Sequence, residues 1–260
     1  MKLKKMLALL AVACIAAVSL AGCGGKKKLV VSLNAEFKPW EYIDDDKNIV
    51  GADVDLMKMI GEKLGMEVEF QNTEFDGVIA AVTSGTCDAA CSGLTINPGR
   101  EKSLDFSTPY YTGAAQILIV RKDDTVFTGT TKEELDQQLK NKKIGVCTSF
   151  TGQFYAEGSE DWGFEKIEGA TVKVYENVSL AAEDLKNGQI EVIIMDDSVA
   201  KETVSANAET LKIIDVALTV EKYGIGVKKG DTEMLEKINK ALKELEDSGE
   251  LKKLLEKWNV

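Results

Sequence analysis

The chain has 260 residues, of which 43 are acidic, 32 are basic and none is histidine, giving a formal net charge of −11 at pH 7. This acidic balance argues against nucleic acid as a partner, because neutralising phosphates requires a basic face. The absence of histidine removes the commonest general base and the commonest metal ligand, so we predict neither a metal site nor a cofactor. A chain of this length can bury enough surface for one large domain or two smaller lobes.

The first residues have the pattern of a targeting segment. Three lysines precede an apolar run over 6–18 that is too short to span a membrane comfortably, and Leu20-Ala21-Gly22-Cys23 resembles a bacterial lipobox. We therefore predict a signal peptide over 1–22, lipid modification of Cys23 and a short tether over 23–28. An ordinary transmembrane anchor is the alternative interpretation.

The next part of the chain alternates short apolar runs with amphipathic ones. We predict strands at 29–33, 68–70 and 89–91, with helices from Asp53 to Leu64 and from Val78 to Thr83. Asp53 is expected to cap the first helix. The order strand, helix, strand, helix, strand indicates an α/β unit with parallel pairing. The acidic turn at 44–46 lacks the spacing of a calcium loop and is interpreted as a solvated hairpin.

A polar turn follows the strand at 89–91. It contains Ser92, Gly93 and Thr95, and a Pro-Gly pair then leads to Arg100. Gly93 would let a ligand approach backbone N–H groups closely, and an arginine fork can hold a carboxylate by two parallel hydrogen bonds. We interpret the turn as a carboxylate cradle, and the alternative is a solvated turn with a surface arginine.

The same pattern repeats in the second half of the chain. Strands are predicted at 116–120, 144–147, 172–175, 190–195 and 223–227, and two helical stretches over 231–258 follow. Ligands in open α/β sheets bind beyond the carboxyl ends of strands, so Arg100 and Asp196 occupy related places on two units. Two opposite charges placed in this way would hold a zwitterion such as a free α-amino acid. The alternative is that Asp196 only caps a helix.

Five segments in this order resemble one family. They are Phe37-Lys38-Pro39-Trp40-Glu41, Gly51-Ala52-Asp53-Val54-Asp55-Leu56, Phe75-Asp76-Gly77-Val78-Ile79, Ser92-Gly93-Leu94-Thr95-Ile96 with Arg100, and Asp105-Phe106-Ser107-Thr108-Pro109-Tyr110-Tyr111. Together they are similar to the bacterial solute-binding proteins of polar amino-acid ABC transporters. The similarity covers nearly all of the chain after the predicted signal peptide.

The resemblance implies a two-lobed periplasmic-binding-protein-like fold of type II, with two parallel-rich sheets flanked by helices. Lobe 1 would comprise 29–112 and 218–260, lobe 2 would comprise 113–217, and two hinge crossings would join them. The implied function is capture of a free polar L-amino acid between the lobes and delivery to a membrane permease. The implied partners are therefore the amino acid, the ABC permease subunits and, through the lipid anchor, the outer face of the cell membrane. A monomer is expected.

The same resemblance assigns roles within the site. Phe37 and Phe75 would sandwich the ligand side chain, and Asp196 would bind the α-ammonium group. Asn34 and Trp40 are further candidate contacts. The implied carboxylate contacts are Ser92, Gly93, Thr95, Arg100, Thr151 and Gly152.

The sequence departs from the family at positions that help to select the side chain. Asn34 stands where many binders of basic amino acids carry an acid, and Cys147 and Met195 are also uncharged. We therefore expect a neutral polar side chain. The alternative functions are a ligand-sensing ectodomain and a dehydratase-type enzyme on the same fold. The three cysteines Cys87, Cys91 and Cys147 show no zinc spacing and are expected to be small buried hydrophobes.

Overall fold

The computed structural model describes residues 27–260, so the predicted signal peptide and Cys23 lie outside the described residues. The strands, in chain order, are β1 (Lys28–Leu33), β2 (Glu36–Phe37), β3 (Glu41–Ile43), β4 (Ile49–Val50), β5 (Glu67–Asn72), β6 (Ala89–Ala90), β7 (Leu104–Phe106), β8 (Tyr111–Ala114), β9 (Gln116–Arg121), β10 (Lys143–Cys147), β11 (Thr171–Tyr175), β12 (Val192–Asp196), β13 (Leu211–Ile214), β14 (Glu221–Tyr223) and β15 (Gly226–Lys228).

The helices of the same residue range flank these strands. They are α1 (Ala52–Leu64), α2 (Phe75–Ser84), α3 (Pro98–Glu101), α4 (Lys132–Leu139), α5 (Thr151–Glu157), α6 (Val178–Lys186), α7 (Asp197–Ser205), α8 (Thr232–Asp247) and α9 (Glu250–Trp258), with a 3₁₀ turn at Glu160–Trp162. None of the helices within 27–260 combines the length and the apolar character that a bilayer crossing requires.

Two sheets with equivalent topology organise the described chain. The first has the strand order β5-β1-β6-β15-β7, and the second has the order β11-β10-β12-β9-β13. In each sheet three neighbouring strands are parallel and the last two join by antiparallel pairing. Parallel neighbours need crossover connections, which the helices between them supply. The carboxyl ends of the parallel strands therefore share one edge in each sheet, and the polar turns follow at that edge.

The chain passes between the two sheets twice, and the crossing segments pair with each other. Strand β8 leads from the first sheet toward the second, and β14 returns antiparallel to it, with Tyr223 opposite Tyr111. The single strand predicted at 223–227 is therefore wrong, because β14 pairs with β8 whereas β15 joins the first sheet. The mixed α/β architecture predicted from the sequence, with two sheets flanked by helices, is confirmed.

The termini of several predicted elements agree with the structure, and one cap does not. The helical stretch over 231–258 breaks at Ser248 and Gly249, between α8 and α9, as expected. Asp53 does not cap α1, whose N-cap residue is Gly51. Its buried carboxylate instead accepts a hydrogen bond from the Gly93 N–H at 2.7 Å and another from the Tyr110 hydroxyl at 2.9 Å. The three predicted core cysteines are all buried and form no disulfide.

Candidate binding site between the two sheets

The turn after β6 has a shape that only glycine allows at one position. Gly93 has φ +49°, and a Cβ atom built there would lie 2.4 Å from the Phe37 ring. Left-handed backbone is unfavourable for other residues, and the ring leaves no space for a side chain. The turn therefore packs directly against Phe37, which places Thr95 and α3 beside the first sheet.

Arg100 is the buried cation of the site. Asn97 caps α3 by accepting from the Arg100 N–H at 2.9 Å, which fixes the backbone of the arginine. Arg100 is 6 % exposed, and its guanidinium lies between the rings of Phe75 and Trp162 at 5.3 and 5.0 Å and donates to the carbonyl oxygen of Thr95. A guanidinium carries five N–H donors, so several remain for an anion. Burial lowers the pKa of Arg100 to about 10 despite two nearby carboxylates.

Asp196 is the buried acid at the end of β12 in the second sheet. It occupies the N-cap position of α7, but its side chain makes no capping hydrogen bond, so the helix-cap alternative does not describe it. Its Oδ1 accepts a hydrogen bond from the Tyr223 hydroxyl at 3.1 Å. Burial, followed by the negative charge of Glu221, raises the pKa of Asp196 to about 7, and Arg100 acts in the opposite direction. A cation bound beside Asp196 would stabilise its ionised form.

Glu221 is a central residue that the sequence analysis missed. Its Oε2 accepts from the hydroxyls of Thr95 at 2.6 Å and Thr151 at 2.8 Å, and its Oε1 accepts from Thr219 and Gln116. The hydroxyls of the two threonines predicted as carboxylate contacts are therefore used within the protein. Thr95 forms a β-bridge with Tyr223 of β14. The hydrogen bonds of this bridge are made by its neighbours Leu94 and Ile96, so the bridge does not use the backbone N–H of Thr95.

The charged residues line one small cavity of about 10 Å³ between the sheets. Its lining residues are Phe37, Phe75, Gly93, Thr95, Arg100, Phe150, Thr151 and Asp196. All but Phe150 were predicted from the sequence as site residues. The Phe150 ring lies between the two expected aromatic walls, 5.5 Å from the Phe37 ring and 4.5 Å from the Phe75 ring. A space of this size holds about one water molecule.

A comparison with known protein families identifies the family of this chain. The model of the bacterial extracellular solute-binding proteins, family 3, matches residues 29–260. The chain belongs to this family. Every site residue described above lies within the matched range.

Related solute-binding proteins cover almost the whole chain. The arginine-binding extracellular protein ArtP of Bacillus subtilis is 36 % identical, with 98 % of each chain covered. The L-cystine-binding protein TcyJ of Escherichia coli is 30 % identical over 88 % of this chain and 82 % of its own. Relatives with different named ligands show that family membership alone does not define the ligand side chain.

Solved structures of arginine-binding proteins share the fold. An ancestral arginine-binding protein bound to arginine has a TM-score of 0.77 at 38 % identity, covering 90 % of this chain and 98 % of its own. AbpA of Streptococcus pneumoniae bound to L-arginine has a TM-score of 0.76 at 36 % identity, covering 88 % and 93 %. The type II fold predicted for this solute-binding protein is thereby confirmed.

Three residues predicted as ligand contacts are not among those that line the cavity of this solute-binding protein. The Ser92 hydroxyl donates to Glu41 at 2.7 Å and accepts from the Asn34 N–H at 3.0 Å, so it supports the turn from inside. Trp40 is buried, and its indole N–H donates to the Ser198 hydroxyl at 3.0 Å. A Cβ atom on Gly152 would lie 2.8 Å from a carbonyl oxygen of β12, so this glycine allows α5 to pack closely against that strand.

Two buried carboxyl groups form hydrogen bonds with the turn that contains Ser92 and Gly93. Asp53 bonds the Gly93 N–H, and Glu41 accepts from Ser92. Burial, followed by the charge of Asp53, raises the pKa of Glu41 well above its ordinary value, which favours its protonated form. Burial raises the pKa of Asp53 to about 6, although the Gly93 amide favours its ionised form. Neither carboxyl group lines the cavity, so the pair affects the site only through the position of the turn.

Asn34 lies near the site but at a different cavity. It lines a second small cavity together with Phe150 and Cys147, and Phe150 also lines the first cavity. Within residues 27–260 no group of three or more histidine, cysteine, aspartate or glutamate side chains is arranged to hold a metal ion.

Proposed function

We propose that this solute-binding protein is the amino-acid-binding component of an ABC transporter and that Arg100 and Asp196 hold the two ends of a free L-amino acid. One observation supports this most strongly: a buried cation from the first sheet and a buried acid from the second line the same cavity. A zwitterion matches that arrangement, since each of its charges meets the opposite charge. The named arginine, histidine and cystine ligands of relatives support the same ligand class.

The carboxylate end of the ligand is bound on the first sheet. Arg100 has donors beyond those given to the Thr95 and Ser149 carbonyl oxygens, and these can form a bidentate pair with the ligand carboxylate. The N–H of Thr95 and the first-turn N–H groups of α5 are the additional donors, because helix first turns leave such groups without carbonyl partners. Thr151 and Gly152 thus contribute amides rather than side chains.

The ammonium end is bound by Asp196. An ammonium group beside this carboxylate lowers its raised pKa, so the ligand converts a partly protonated acid into an ion pair. Tyr223 holds the same carboxylate and fixes its direction. The ligand therefore connects β12 of one sheet with α3 of the other.

Binding is coupled to movement of the lobes. Arg100 donates to the Ser149 carbonyl oxygen at 3.1 Å, Trp40 donates to Ser198, and Lys38 pairs with Glu202 at 2.9 Å. Each of these contacts joins the two lobes across the cleft. A cavity that holds about one water admits an amino acid only when the lobes part or Phe150 turns away. A ligand that contacts both lobes then favours the closed arrangement by its differential affinity.

The proposal includes the finer features expected from the sequence. We propose lobe boundaries near 112 and 218, supported by the pairing of β8 with β14 between the sheets. We also propose that Cys23 carries a lipid, supported by the lipobox, and that the monomeric protein presents its ligand to permease subunits without catalysing a reaction. The named roles of the relatives as binding proteins support the last point.

Calorimetric titration of three variants with free L-amino acids tests the clamp. Truncating one partner of a buried, hydrogen-bonded charge pair costs about 2–5 kcal/mol, or roughly thirty-fold or more in affinity. Arg100→Ala and Asp196→Ala should each lose that much. Asp197→Ala is the matched control, because Asp197 is the adjacent acid and pairs with Lys201 outside the cavity.

Two outcomes would contradict the proposal. If no amino acid binds to the wild-type protein after unfolding and refolding to remove co-purified ligand, the function is wrong. Near-normal affinity in Arg100→Ala, or a larger loss in Asp197→Ala than in Asp196→Ala, would reject the assigned residues.

A further inference from the structure

We infer that Glu36 and Glu176 form a cation-binding subsite for the ligand side chain, which makes the preferred ligand an amino acid with a guanidinium group. This inference rests on the proposed function and adds the side-chain class to it. The two glutamates and Asn34 line the second cavity, which shares the Phe150 ring with the Arg100–Asp196 cavity.

The two cavities are neighbours that share one lining residue. Phe150 lines both, and its ring lies against Phe37 and Phe75. An amino acid whose α-carbon groups bind Arg100 and Asp196 has its side chain directed past these rings. The side chain therefore ends at the second cavity once Phe150 turns aside.

Glu36 and Glu176 bring negative charge to the second cavity. Glu36 belongs to β2, beside the first sheet, and Glu176 follows β11 of the second sheet, so the lobes contribute one carboxylate each. Burial and the charges of Glu74 and Glu176 raise the pKa of Glu36, which shows that a carboxylate there meets negative potential. A cation between the two glutamates relieves that repulsion and contacts both lobes.

Asn34 gives an independent reason to place a hydrogen-bond donor in the second cavity. The residue is 6 % exposed, and its Nδ2 donates to the Thr73 carbonyl oxygen at 2.9 Å. Its Oδ1 accepts no hydrogen bond from any residue within 27–260, and it is not among the fully buried unpaired atoms of that range, so it is open to the cavity. A carboxamide oxygen, unlike an amide N–H, can only accept. The ligand group that meets it must therefore be a donor.

A guanidinium fits this subsite better than an ammonium. It is planar, it presents five donors, and it stacks on aromatic faces, so it can lie against the phenylalanine rings while bonding two carboxylates and one amide oxygen. The uncharged Asn34 and Cys147 suggested a neutral side chain in the sequence analysis. The structure places two carboxylates at the same cavity, and these change the expected ligand.

Titration with L-arginine and L-citrulline tests the subsite directly. Citrulline has a neutral urea group where arginine has its guanidinium, so the ratio of the two affinities isolates the cation. We expect the wild-type protein to bind arginine at least tenfold more tightly than citrulline. The ratio should fall in Glu36→Gln and in Glu176→Gln and approach one in the double variant, while citrulline affinity changes little. Because both glutamates are exposed, the wild-type ratio should also decrease with added salt.

Glu74→Gln is the matched control. Glu74 contributes negative charge near Glu36 but does not line the second cavity, so its loss should change the ratio less than either test substitution. Equal binding of arginine and citrulline by the wild type, or an unchanged ratio in the double variant, would overturn the inference while leaving amino-acid binding intact. Failure of every amino acid to bind would instead overturn the proposed function on which it rests.

Discussion

Replacing Asp53 with asparagine tests the role of the carboxyl pair behind the Gly93 turn. Asparagine keeps an acceptor oxygen for the Gly93 N–H and the Tyr110 hydroxyl, which both bond the same carboxylate oxygen of Asp53, Oδ2. The substitution therefore removes the ionisable group while preserving these two hydrogen bonds. Its effect should appear in the pH dependence of stability rather than as a loss of fold.

The expected magnitude follows from the pKa of Asp53. Burial raises this pKa from 3.8 to about 6, and a tenfold change in proton affinity corresponds to about 1.4 kcal/mol, so ionising the buried Asp53 costs about 3 kcal/mol of stability. Because the folded state holds the proton more tightly than the unfolded chain, unfolding releases it between pH 4 and pH 6. The free energy of unfolding therefore falls as the pH rises through this window, and the fall levels off above it.

Urea denaturation at pH 4, 5, 6 and 7 measures this contribution, after unfolding and refolding have removed co-purified ligand. The free energy of unfolding of Asp53→Asn minus that of the wild type should increase by about 2.4 kcal/mol from pH 4 to pH 7, and contributions from titrating groups far from Asp53 cancel in that difference. Asp46→Asn, at an exposed turn, is the control for the loss of one surface carboxylate. Parallel profiles for wild type and Asp53→Asn would refute the assignment of the raised pKa to a buried, structural Asp53.

Two further substitutions test single features of the chain. Gly93→Ala should destabilise the protein by more than the 1–2 kcal/mol expected for a left-handed residue, because its methyl group would also meet the Phe37 ring. Gly65→Ala has a similar positive φ but open space around the new methyl, so equal losses of melting temperature in the two variants would contradict the ring contact. Cys23→Ala should release the protein from cell membranes or leave it unprocessed, as fractionation would show, and normal membrane retention would reject lipid modification at Cys23.

The alternation of strands and helices was readable from the sequence because burial imposes simple periodicities. The sequence pattern therefore located the carboxyl ends of β6 and β12. It also led to the prediction that Arg100 and Asp196, which lie at or after these ends, face one cleft. Strand 223–227 was mispredicted because its apolar pattern is continuous while its hydrogen-bond partners change at Gly224. Periodicity reports which residues are buried, not which strand each one pairs with.

The missed and misplaced site residues share a different cause. Glu221 accepts a hydrogen bond from Thr95, 126 positions away, and no local pattern separates it from the many surface acids of this chain. Ser92 and Trp40 belong to segments that resemble binding motifs, yet their polar atoms bond Glu41 and Ser198. A motif locates a loop, whereas tertiary contacts decide which of its groups remain available to a ligand. Phe150 could have been suspected, since it is an aromatic residue within a loop of small polar ones.

Under the proposed function, Arg100 connects ligand binding to closure. It donates to Thr95 in the proposed lobe 1 and to Ser149 in the proposed lobe 2, and the Trp162 ring of the proposed lobe 2 lies 5.0 Å from its guanidinium. The guanidinium also lies near Glu221, which accepts from the Thr95 and Thr151 hydroxyls of the two lobes at once. One cation is therefore buried together with two carboxyl groups, those of Asp196 and Glu221. The ligand ammonium adds a second cation beside Asp196, and its carboxylate occupies the remaining Arg100 donors. Under the proposed function, an amino acid pairs each charged side chain of the clamp with its opposite, whereas a simple amine would leave the remaining Arg100 donors without an anion and a simple acid would leave Asp196 without a cation.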